Sequence, residues 1–208
     1  MGSPRIDSYG RAMESAPAPV RRYTFIAMVL HWLVAILMLV NIALIWSVDL
    51  LPDERIRPVI DAHKSIGITV LGLVLLRLLW RAANPPPPLP DGYPRWEKAA
   101  AHSAHVALYL LILALPLSGW MHDSAWKAAG EIPMYWFGLF QWPRIGWITQ
   151  LDPVFKERLH DVFGATHAWL SYLLYALFAL HVGAALKHQY WDRHAELQRM
   201  LPGRADGG

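Results

Sequence analysis

The sequence predicts an all-α fold, an integral membrane four-helix bundle. Three observations carry that expectation: four apolar stretches, a hydrophobic fraction of 55% against 17% charged residues, and histidines set inside the apolar stretches. Soluble domains carry roughly 25% charged residues. The hydrocarbon of a bilayer takes about 20 helical residues to cross. Any one stretch reads equally well as a buried helix of a soluble protein, but four within 208 residues argue against that.

The first span covers about 24–47 and is almost free of polar groups except His31 and Asn41. The second covers about 61–80, with Lys64 and Arg77 near enough to its ends to snorkel. The third covers about 99–120, where Pro116 is tolerable because few backbone bonds are lost near an end. The fourth covers about 162–187. Between the second and third lies Asn84-Pro85-Pro86-Pro87-Pro88-Leu89-Pro90, which cannot continue a helix and predicts a short, stiff polyproline segment. Between the third and fourth lie about forty residues with Trp126, Tyr135, Trp136, Trp142 and Trp147, read as a loop on the membrane surface with short helices. Residues 1–22 and 191–208 are polar tails around a membrane domain at 23–190. The first apolar run ends without a small-residue cleavage site, so it is expected to stay in the mature protein.

Basic residues orient the bundle. Arg5, Arg11, Arg21, Arg22, Arg77, Arg81, Arg95, Lys98, Lys187, Arg193, Arg199 and Arg204 share the side of the termini and the proline segment, twelve of nineteen. The positive-inside rule therefore predicts both termini in the cytoplasm. Because these residues flank apolar stretches and form no stripe, the net charge of +3 does not point to nucleic acid. The absence of cysteine excludes disulfides, iron–sulfur clusters, thiolate zinc sites and the C-x-x-C-H attachment of covalent haem.

Ionisable groups at membrane depth are rare and costly, so His31, His63, His102, His105, His167 and His181 each suggest a function. His31 and His181 lie at similar depth on the inner side, and His63 and His167 match on the outer side. The fourteen residues from His167 to His181 turn a helix by about 1400°, roughly 40° short of four full turns, over about 21 Å. One helix thus offers a ligand to each of two layers, and two haems b, each between two histidines, satisfy the arrangement. Zinc wants further ligands that the outer pair lacks. Gly67, Gly164 and Gly183 would let a flat ring approach, or equally would let helices pack closely. His188, seven residues after His181, continues its stripe, and His102 and His105 lie near the inner start of the third span. These could donate a hydrogen bond and protons to a quinone, or bind water, headgroups or propionates at the interface.

The residues resemble the bacterial cytochrome b561 family, of the superoxide oxidase type. The resemblance runs from about Arg21 to Arg204. It is carried by His31-Trp32-Leu33-Val34, His63-Lys64-Ser65-Ile66-Gly67, Leu76-Arg77-Leu78-Leu79-Trp80-Arg81, the proline run, His102 and His105. It continues through Ala114-Leu115-Pro116-Leu117-Ser118-Gly119, His167-Ala168-Trp169, Leu180-His181-Val182-Gly183-Ala184-Ala185-Leu186-Lys187-His188 and Arg199-Met200-Leu201-Pro202. It implies an inner-membrane protein with two haems b. His31 and His181 would hold the inner iron, and His63 and His167 the outer. His105 and His188 resemble positions near a quinone. The implied activity takes electrons from superoxide, or another small donor, at the outer face and passes them to ubiquinone. Steering an anion wants positive charge, yet the outer segments carry seven basic residues against nine acids. That activity therefore expects folding to gather Arg55, Arg57, Lys64, Arg144, Lys156 and Arg158 near the outer haem. The competing functions are a membrane anchor relaying electrons for a soluble hydrogenase or dehydrogenase, and a non-redox carrier of protons or metal.

Overall fold

The computed structural model describes residues 22–88, 92–193 and 195–201. Of the two polar tails, 1–21 and 202–208 lie outside the described residues, with Arg5, Arg11, Arg21, Pro202 and Arg204; so do Leu89, Pro90, Asp91 and His194.

Helix α1 (Phe25–Ser47) starts where Thr24 Oγ1 accepts the Ala27 N–H at 3.3 Å, and it runs into a 3-10 turn at Val48–Leu50. Helix α2 (Asp53–Ala83) follows Pro52 and opens with Asp53 and Glu54, whose charges suit a helix N-terminus. It ends where the Asn84 N–H and side-chain amide both donate to the Trp80 carbonyl, and prolines follow. Helix α3 (Arg95–Ser124) begins after Pro94 and contains Pro116. After the short α4 (Gly146–Thr149) comes α5 (Pro153–Leu186). Asp152 Oδ1 caps α5 by accepting from Val154 N and Phe155 N, and Pro153 takes the first helical position, where its missing N–H is harmless. A π turn at Lys187–Trp191 and the short α6 (Glu196–Met200) are the last elements of the described residues.

Among the described residues four helices are long and apolar enough to cross a membrane: α1, α2, α3 and α5. At 31, 30 and 34 residues, α2, α3 and α5 outrun hydrocarbon thickness and carry helical residues beyond it. Helix α1 packs on α2, α2 on α3, and α3 on α5; among the described residues α5 packs far less closely on α1 or α2. Val34, Ile66, Val70 and Val74 form the apolar core, with Leu73, Leu78, Tyr109 and Ile112 against it. That core joins α1, α2 and α3. Ile36, Leu39, Leu76, Leu110, Leu173 and Leu180 are exposed and suit contact with lipid.

The long connection before α5 is more ordered than a surface loop with short helices. It holds a hairpin of β1 (Tyr135–Trp136) and β2 (Phe140–Gln141), paired Tyr135 with Gln141 and Trp136 with Phe140. Phe137 and Gly138 both take positive φ, 48° and 71°, as a tight right-twisted hairpin turn requires. The Phe137 N–H donates to Ser65 Oγ at 3.0 Å and Trp136 Nε1 to Thr69 Oγ1 at 3.1 Å, which staples the hairpin to α2. A buried ion triad fixes the rest. Asp123 accepts from Lys64 Nζ at 2.5 Å and Arg144 Nε at 2.8 Å, and Arg144 Nη1 reaches the Ala129 and Ile132 carbonyls.

At the opposite end the C-terminal segment folds back on the bundle. Buried Arg199 donates to the carbonyls of Pro87 and Pro88 at 2.8 and 3.0 Å, and its own carbonyl accepts the Tyr23 N–H. Trp32 Nε1 donates to the Met200 carbonyl and the Tyr93 hydroxyl to Glu196. Burial, with the Glu196 charge beside it, pushes the Tyr93 phenol above its usual pKa, so it remains a donor.

Candidate functional site

Every seventh residue of α5 and its π extension forms one stripe: His160, His167, Leu174, His181 and His188. Seven residues advance a helix by about 700°, within about 20° of two turns, so these side chains share a face. Across the gap that α5 leaves against α1 and α2 stand His31 and His63. The structure brings together the two depth-matched pairs: ring centroids lie 6.4 Å apart for His31 and His181, and 6.1 Å for His63 and His167. Metal–imidazole bonds are about 2.0–2.1 Å, which sets the centroids of two rings bridged by one metal roughly 6.3 Å apart. His105 lies 5.5 Å from His181, too close for a metal between them. Among the described residues no group of three or more histidines or acids is placed to hold a metal alone. A flat macrocycle that supplies the remaining ligands suits both pairs.

The two layers differ in how their rings are held. His63 Nδ1 faces the Asn41 carbonyl at 3.3 Å and His167 Nδ1 the Leu115 carbonyl at 3.0 Å. A carbonyl only accepts, so each Nδ1 carries its hydrogen and each Nε2 keeps a lone pair for a metal. A cavity of about 670 Å³ opens there, lined among others by Asn41, His63, Gly119 and His167. Its volume lies within the usual range for cofactor sites. Asn41 Oδ1, buried and without a partner among the described residues, has an unmet need for a donor at this wall. At the other layer Arg77 Nη1 lies 2.7 Å from His31 Nδ1, and its Nε donates to the Tyr109 hydroxyl. Guanidinium only donates. His31 therefore accepts at Nδ1.

The remaining expected residues lie at the end where the termini fold back. His188 Nδ1 meets Asp192 Oδ2 at 2.7 Å, with the Tyr93 ring 5.0 Å away. The Lys187 ammonium, bonded to the same oxygen, holds the Asp192 carboxyl below its usual pKa and keeps it an ionised acceptor. His105 is half-buried beside His181, whereas His102 is exposed. The glycines divide. A Cβ on Gly183 would meet nothing within 4 Å and one on Gly67 only Asn41 at 3.9 Å, but one on Gly164 would fall 2.9 Å from the His122 ring. Gly119 gives similar room to His167, at 3.2 Å.

Two histidines at the hairpin end escape a reading confined to the hydrocarbon-length stretches. His122 on α3 and His160 on α5 stack at 3.8 Å and line the cavity with His63 and His167. The signal for His160 is its place seven residues before His167. Of the six basic residues expected near the outer layer, Arg57 and Lys64 line the cavity, and Arg144 pairs with Asp123, which also lines it.

Residues 22–203 match the family model described as prokaryotic cytochrome b561. The chain belongs to that family. Among its b561 relatives, cytochrome b561 homolog 2 of Escherichia coli (strain K12) is 37% identical over 183 residues, covering 86% of this chain and 91% of that one. A probable superoxide oxidase CybB of Yersinia pestis is 28% identical over 186 residues, 88% of this chain and 97% of its own. Cytochrome b561 homolog 1 of Escherichia coli (strain K12) is 28% identical over 144 residues, covering 69% and 75%. As a cytochrome b561 the chain is a bacterial membrane electron-transfer protein that binds haem b. The paired imidazoles, the gap around α5 and the unmet Asn41 oxygen fit that group.

Proposed function

We propose that this chain is a di-haem oxidoreductase of the bacterial inner membrane. It takes electrons from a small donor, superoxide first among candidates, at the outer face and delivers them to ubiquinone near the cytoplasmic face. The observation that carries the reading is the α5 stripe, which offers one histidine to each of two layers at metal-bridging separation. His63 and His167 would hold the outer haem, and His31 and His181 the inner. Haem b, when bound, supplies one-electron chemistry. The chain's residues would orient the imidazoles that hold it: the carbonyls of Asn41 and Leu115 set the Nδ1–H tautomer at the outer layer. The twelve-to-seven basic bias supports cytoplasmic termini and makes the hairpin end the outer face.

Superoxide is supported by charge and by likeness. Arg57 and Lys64 stand against Asp123 in the cavity wall, a local excess of one positive charge. The Yersinia pestis relative is named a probable superoxide oxidase. For the quinone, His188 is oriented by ionised Asp192 and His105 stands beside His181, so both can donate to a carbonyl oxygen on the cytoplasmic side. The test is stopped-flow reduction of the anaerobic protein by a superoxide source, followed by reoxidation with a soluble ubiquinone. A haem-to-protein ratio near two is expected. His188→Leu and His105→Leu should keep both haems and normal reduction, while reoxidation slows about tenfold, the equivalent of roughly 1.4 kcal/mol. Wild-type reoxidation in both variants would remove them from any quinone site.

The anchor reading has one observation in its favour, the exposed hairpin tip of Phe137, Leu139 and Phe140, which would suit a docked redox subunit. Purification of an active chain without a stoichiometric partner would exclude it.

A further inference from the structure

We propose that His122 and His160 form a proton-accepting site beside the His63–His167 pair, for a reductant that bears a hydroxyl and releases a proton together with its electron. The inference rests on reading His63 and His167 as haem ligands and extends the range of donors at that site.

The geometry begins with tautomers. His122 Nδ1 lies 2.9 Å from the His160 carbonyl, and His160 Nδ1 lies 3.0 Å from the His122 carbonyl. Each Nδ1 must donate, because a carbonyl cannot. In the neutral rings both Nε2 atoms are then lone-pair acceptors. Among the described residues no protein group bonds either Nε2, and neither atom is sealed from its surroundings. The rings stack at 3.8 Å with 18° between planes.

A staple between α3 and α5 is the simpler role, but it uses only the Nδ1 atoms. What it leaves over is an acceptor atom on each of two residues that line one cavity with His63 and His167. The site is shaped to keep His122 there: a Cβ on Gly164 would strike its ring at 2.9 Å. The charged groups facing the pair are Lys64 from α2 and Asp123 from α3, themselves joined in an ion pair, with Arg144 closing the same triad.

The step balances. The donor's O–H bond breaks and its proton forms a new bond at an Nε2 of the pair; the donor leaves as a neutral oxyl radical, and the one electron it gives up would be accepted by the haem b that His63 and His167 would hold. Both rings keep partial exposure, through which the proton returns to solvent between turnovers.

The test substitutes asparagine, whose Nδ2 can keep the donor bond to the facing carbonyl while removing Nε2. The His122→Asn/His160→Asn double variant is mixed anaerobically with a water-soluble hydroquinone, and separately with hexaammineruthenium(II), which has no proton to give up. Reduction by the hydroquinone should slow at least about a hundredfold, the usual range for loss of a general base, and lose its solvent deuterium effect. Reduction by the ruthenium complex should stay within about twofold, with haem content unchanged. Independently of turnover, nitrogen-15 spectra of the full chain should show both rings with Nδ1 protonated and Nε2 bare. Equal slowing with both donors, no slowing with either, or loss of a haem in the variant would each overturn the proposal. Wild-type protein lacking the hairpin-side haem would overturn the ligand reading beneath it.

Discussion

The two ends of the bundle hold similar pairs of rings by opposite means. At the hairpin end, backbone carbonyls receive both Nδ1 hydrogens, so the rings of His63 and His167 each keep a lone pair on Nε2. At the end where the termini fold back, a charged side chain holds the ring: Arg77 donates into His31, and His105 crowds His181. The first pair is held by backbone carbonyls, and His31 of the second by a side chain. The surroundings follow the same division. A buried ion triad locks the hairpin end, whereas a returning segment with one buried arginine closes the other.

The largest effect should come from the histidines. His63→Ala should remove one haem and leave the other, giving a haem-to-protein ratio near one; His31→Ala should remove the complementary haem. Redox titration of each variant checks this, and loss of the same component in both would break the pairing. Next in size is Asp123→Ala, which strands the charges of Lys64 and Arg144. It should destabilise the hairpin end by about 3 kcal/mol, the low side of the usual range because Lys64 keeps some exposure. Thermal unfolding in detergent measures it, and hydrogen exchange should show the loss confined to about 125–145.

Smaller effects sharpen the contrast. Gly164→Ala should cost about 2 kcal/mol as the new methyl displaces His122. At the other end Gly183→Ala has open space around it and should be neutral, or stabilising by up to about 1 kcal/mol. Equal responses in melting temperature would mean that the two ends are packed alike. Smallest of the losses, Tyr93→Phe removes the bond to Glu196 and should lower stability by about 1.5 kcal/mol, with faster exchange in the C-terminal segment and none at the hairpin.

The helices were legible because spanning hydrocarbon demands a length and composition that little else produces. The histidines at depth were legible because burying an ionisable group there is costly. The helix ends were not, because hydropathy falls off at the membrane surface while hydrogen bonding continues. Asp152 and Pro153, a cap and a first-turn proline, mark where α5 begins, nine residues before its apolar stretch. His160 and His122 lie in those extensions, outside the apolar stretches. The contact between Arg77 and His31 depends on the register of α1 against α2, and the hairpin's bonds to Ser65 and Thr69 join residues about seventy apart. Neither leaves a local trace.

The stripe on α5 also acts as a length standard. Because His167 and His181 hang from the same unbroken helix, their separation along its axis, about 21 Å, is set by the rise of a single rod. Sliding α1 or α2 changes how well a ring is met but not how far apart the layers stand. A thinner bilayer would tilt the rod and carry both layers with it. Inserting a single residue between them would swing one layer by about 100° and leave its partner facing lipid.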